Sequence, residues 1–65
     1  MELEVFLDRL HQVNAVDKNA LAVYTDLLTQ VEDPRIISIL KRLVQDETKH
    51  VRLEKELISF LEHKS

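Results

Sequence analysis

Not one glycine interrupts these 65 residues, and a single proline does, at position 34. The absence of glycine, together with the dominance of Leu, Val, Ile, Ala, Glu and Lys, favours helix over sheet. The expected class is all-α. The only punctuation falls at Glu32-Asp33-Pro34, where Asp33 can cap the amides of a new helix and Pro34 suits its first turn. The spacing therefore predicts one helical-hairpin domain over 1–65. Helix 1 is expected over about 2–32 and helix 2 over about 34–62, with the turn near 32–34. At 1.5 Å per residue each helix would be roughly 42–45 Å long.

Hydrophobic periodicity says what such a hairpin must do next. Along helix 1, Leu3, Phe6, Leu10, Val13, Ala20, Tyr24, Leu27 and Val31 recur at spacings of three and four, and Asp17 is the one polar member of the series. Along helix 2, Ile36, Leu40, Leu43, Leu57 and Leu61 keep the rhythm, which passes through Glu47, His50 and Glu54. Further apolar residues widen both stripes: Leu7, Val16, Leu21, Val23 and Leu28 on the first, Ile37, Val44, Val51, Leu53, Ile58 and Phe60 on the second. Stripes of that width belong to helices with neighbours on two sides. So short a chain, with no cysteine for disulfides and no Cys/His cluster for structural zinc, must enlarge its core by self-association. The expected architecture is a two-helix antiparallel hairpin that dimerises into a four-helix bundle, as a homodimer or a higher even-numbered homo-oligomer.

The charge pattern removes several function classes. A net charge of −3 with both signs scattered leaves no basic stripe to track a phosphate backbone, so nucleic-acid binding is disfavoured. Met1-Glu2-Leu3-Glu4 lacks the positive start of a signal peptide, and no apolar run approaches the roughly 20 residues of a membrane span. A soluble, cytoplasmic protein with no membrane partner is expected. No serine or cysteine nucleophile stands at triad-like spacing from a base.

The polar interruptions carry the chemistry. With the turn near 33, Asp17 should lie at the level of Glu47 and His50, which are one helical turn apart on one face. Two-fold pairing would double that set to four carboxylates and two imidazoles. Carboxylate oxygens and neutral imidazoles suit iron or manganese, and a Glu-x-x-His turn from each of two helices with a carboxylate from each of the other two is a di-iron bundle arrangement.

Asp46-Glu47-Thr48-Lys49-His50 resembles the D/E-E-x-x-H segment of ferritin-like and rubrerythrin-like proteins, and Asp17-x-x-Ala20-x-x-x-Tyr24 is similar to their Glu-x-x-Ala-x-x-x-Tyr on the preceding helix. The likeness is greatest to the half-size members that build the metal site across a dimer, such as encapsulated ferritins. It implies a ferritin-like bundle with Asp17, Glu47 and His50 as metal ligands and Tyr24 close by in the core; Glu54, which continues the same stripe one turn beyond His50, is a candidate further ligand or partner to an imidazole N–H. The likeness also implies a di-iron or, second, a manganese cofactor, with ferroxidase activity or another dioxygen- or peroxide-linked oxidoreductase activity. Asp17 stands where the family usually has Glu and reaches one methylene less. With the sequence stopping at Ser65 there is no C-terminal extension of the encapsulin-docking kind, so docking to an encapsulin is not expected.

Plainer roles stand beside these. Glu47 and His50 could form a core ion pair that fixes register, Asp17 could pair with Lys18 or Lys49, and Glu54 could reach solvent or pair with His11 or Arg52. Tyr24 could be an ordinary core tyrosine. His11 and His63 read as surface histidines. With those roles the site is degenerate, binds no cofactor, and the chain is a metal-free helical-hairpin dimerisation or adaptor module.

Overall fold

The computed structural model describes residues 2–64, which form two helices, α1 (Leu3–Leu28) and α2 (Pro34–Lys64). They pack as an antiparallel hairpin of 48 × 15 × 14 Å. Among the described residues no helix is long and apolar enough to cross a membrane.

α1 stops at Leu28, short of the expected end near 32, because its last carbonyls are taken by tight local bonds. The Thr29 amide and hydroxyl both donate to the Asp26 carbonyl, at 3.0 and 2.7 Å, and the Gln30 amide donates to that of Leu27 at 3.0 Å. α2 starts where the sequence says it should. The Asp33 carboxylate accepts the Arg35 amide at 2.8 Å, its carbonyl accepts the Ile37 amide at 3.0 Å, and Pro34 occupies the first helical position.

The seam between the helices repeats every seven residues. α1 supplies Leu7, Asn14, Leu21 and Leu28 in one row and Leu10, Asp17 and Tyr24 in the other. α2 supplies Ile37, Val44, Val51 and Ile58 facing Leu40, Glu47, Glu54 and Leu61. This is the packing of an antiparallel coiled coil. Only Leu40, Val51, Ile58 and Asn14 are buried in it. The core is thin.

The single stripe read from the sequence thus divides in two. Its Leu10, Asp17 and Tyr24 half enters the seam, whereas Phe6, Val13 and Leu27 stay exposed and join Val16 and Val23 in a second stripe about 110° round α1. On α2 the corresponding stripe is Ile36, Ile39, Leu53, Leu57 and Phe60, with half-buried Leu43 inside it. The two second stripes share one flank. The opposite flank is polar and is spanned by His11 Nε2 and Glu62 Oε2, 3.4 Å apart.

Candidate metal centre

Asp17, Glu47 and Glu54 occupy seam positions at mid-height of the hairpin, and all three are half-buried. They reach that level for one reason, the short turn that pairs residue 14 of α1 with residues 51 to 54 of α2. Asn14 marks the pairing. Its side-chain amide donates to the Val51 carbonyl at 3.3 Å and to Glu54 Oε1 at 3.1 Å, and the residue is 5% exposed. No chemical motif marks Asn14 in the sequence, but its place in the Leu7, Leu21, Leu28 row marks it as a core position.

Glu54 belongs with the expected cluster. Burial, followed by hydrogen bonding with Asp17, holds its carboxyl above the ordinary value; the charges of Asp17 and Glu47 add to the rise, and the Asn14 amide works against it. Asp17 and Glu54 thus stand as a crowded acidic pair across the seam. Neither His11 nor Arg52 pairs with Glu54 among the described residues; His11 goes to Glu62 instead. Among the same residues Asp17 forms no ion pair with Lys18 or Lys49.

His50 stands at the edge of this cluster, on the flank that carries the second apolar stripe. Its Nδ1 lies 3.1 Å from Glu47 Oε1. The Glu47 side chain is 16% exposed and that of His50 is 60% exposed. Within one hairpin they form a half-open pair, not a buried one. Donors 3.1 Å apart also suit neighbouring ligands of one octahedral cation, for which bonds of about 2.1 Å set an edge of about 3.0 Å. Tyr24 is half-buried in the seam, about 10 Å of helix from Asp17 toward the turn. His63 is exposed, its Nδ1 bonded to the Ser59 carbonyl at 2.8 Å.

One hairpin does not assemble a cage. Among the described residues no three His, Cys, Asp or Glu side chains are grouped so as to hold a metal ion, and no pocket is present. What the hairpin offers is an oxygen-rich donor set at one level, with an imidazole beside it and open toward one flank. Comparison with protein-family models, with curated proteins and with solved structures finds no match to this chain.

Proposed function

We propose that two hairpins pair through their apolar flanks into a four-helix bundle, and that Asp17, Glu47 and His50 of each, with Glu54 beside them, bind two metal ions at its centre. The observation that carries this reading is the second apolar stripe about 110° from the seam on both helices, near the right angle that separates the two neighbours of a helix in a square bundle. Rows turned between the two seams point at the bundle axis. Those rows hold Asp17, Glu47, His50 and Glu54.

The area agrees. The chain exposes 5219 Å², whereas a compact monomer of 7.6 kDa exposes about 4300 Å². The excess of about 900 Å² is close to the roughly 800 Å² that each partner buries in a standard interface.

The donor set fits iron first and manganese second, because carboxylate and imidazole are the ligands those ions take and no thiolate is present to favour softer metals. Bound iron would supply one-electron redox chemistry toward dioxygen or peroxide, giving a ferroxidase or a related oxidoreductase. The protein's part is to hold the carboxylates against their mutual repulsion, to aim the imidazole, and to surround both with Leu, Val and Ile that limit water.

A metal-free dimerisation module is the second reading, favoured by the Asn14 amide, which ties Glu54 to the seam as a register lock would. Aerobic Fe(II) loading followed by elemental analysis separates the two. About one iron per chain, lost in both Glu47→Ala and His50→Ala while helicity is kept, supports the metal site. No iron retained by the parent protein rejects it.

A further inference from the structure

The exposed stripe of α2 is its own complement when reversed. Ile36, Ile39, Leu43, Asp46, His50, Leu53, Leu57 and Phe60 are spaced 3, 4, 3, 4, 3, 4, 3, which reads the same in both directions about position 48. Six outer members are apolar, and the two inner ones are Asp46 and His50. On α1 the middle of the stripe has the same property, Val13, Val16, Ala20 and Val23 being centred on position 18, whereas its outlying Phe6 and Leu27 mirror onto Gln30 and Arg9. Those centres are level with each other, because Asn14 meets Val51 across the seam and position 48 therefore lies beside position 17 or 18. One two-fold axis, perpendicular to the long axis of the hairpin, can cross both helices at their points of symmetry.

We infer that the apolar flank takes a second copy of this chain turned end for end, with α1 antiparallel on the partner's α1, α2 antiparallel on the partner's α2, and Asp46 beside the partner's His50. This rests on the dimer proposed above and fixes its orientation. On α2, Leu43 then meets the partner's Leu53, Ile39 the partner's Leu57 and Ile36 the partner's Phe60. The Nδ1 atom of His50 stays with Glu47 of its own chain, and Nε2 faces the carboxylate of the partner's Asp46. A partner placed with both turns at one end would lay α1 on the partner's α2. At matching levels that sets His50 against Val16 and Asp46 against Ala20, which leaves His50 with Glu47 alone and buries the Asp46 carboxylate against an apolar side chain. The match of a carboxylate to an imidazole nitrogen selects the first arrangement.

The native chain has no cysteine, so Glu32→Cys carries a single nitroxide at the turn. Pulsed dipolar spectroscopy on the labelled dimer should give a turn-to-turn distance of about 40 Å, from some 28 levels at 1.5 Å each. Turns at the same end would lie less than about 25 Å apart, given helix axes about 10 Å from their neighbours, and that distance would overturn the orientation while leaving the dimer standing. A monomer by sedimentation would sink the dimer itself. In the same assay Asp46→Lys should weaken metal-free dimerisation at least tenfold, and Asp46→Lys combined with His50→Glu should recover most of the loss. Two losses that simply add would place Asp46 away from the partner's His50.

Discussion

Asn14 shows how one neutral side chain can organise several charged ones. Its amide gives two hydrogen bonds from a buried position, one to the backbone of α2 and one to Glu54, and so fixes the level at which Asp17 and Glu47 meet Glu54. The cluster could be placed from residue numbers because the turn is short, but membership of Glu54 could not. Its position on the stripe is equally compatible with a side chain extended to water, and only the Asn14 bond and the nearness of Asp17 decide the matter. Because burial and its acidic neighbours raise the Glu54 carboxyl, the folded state binds that proton more tightly than the unfolded chain does. Its stabilising contribution is therefore present below the ordinary carboxylate range and is lost as pH rises through the raised value. Glu54→Gln keeps an acceptor for Asn14 and removes the charge. The expected outcome in metal-free protein is a melting temperature a few degrees higher at pH 7 and a flatter stability profile just above pH 4.5. An unchanged profile from thermal denaturation across that range would remove Glu54 from the acidic cluster.

The two helices differ in how well the sequence marks their ends. Pro34 and Asp33 announce the start of α2 by covalent geometry and a capping carboxylate, and the helix begins there. The end of α1 has no such sign, since Thr29 and Gln30 are residues that could equally continue a helix, and only their bonds back to Asp26 and Leu27 close it. The stripe raised a similar ambiguity. Spacings of three and four fit the rows that meet the other helix of the hairpin as well as those turned between two neighbours, and only the packing of α1 on α2 shows that Leu10 is in the seam while Phe6 and Val13 are outside it. The cap gives the element-scale prediction. Asp33→Ala should cost about 1 kcal/mol, and Asp33→Ser appreciably less because its hydroxyl can accept the same amide. Urea unfolding with an unchanged slope is the measurement, and equal losses in the two variants would show that the cap bond to Arg35 contributes nothing.

At the scale of the whole molecule the governing fact is a core that one hairpin leaves unfinished. Three buried apolar residues and one buried asparagine hold the seam, while Val16, Ile39 and Phe60 remain 66%, 63% and 61% exposed on one flank. The breadth of the apolar stripes makes this exposed flank legible in the sequence. If the second neighbour is another copy, folding and association are one equilibrium, two unfolded chains against one dimer, and mass action makes thermal stability depend on protein concentration. Each tenfold dilution then removes about 1.4 kcal/mol per dimer. With an unfolding entropy of about 2.1 cal/mol/K per residue over the two chains, that corresponds to a fall of about 5 °C in Tm. Circular dichroism melts at 2, 20 and 200 μM should therefore move by about 10 °C in all. Leu53→Lys, which puts a charge in the middle of the flank without entering the seam, should abolish the two-state melt of the dimer and leave a weakly helical chain. A melting temperature that stays constant over the hundredfold range would mean that the hairpin is stable alone, and that its apolar flank faces something other than itself.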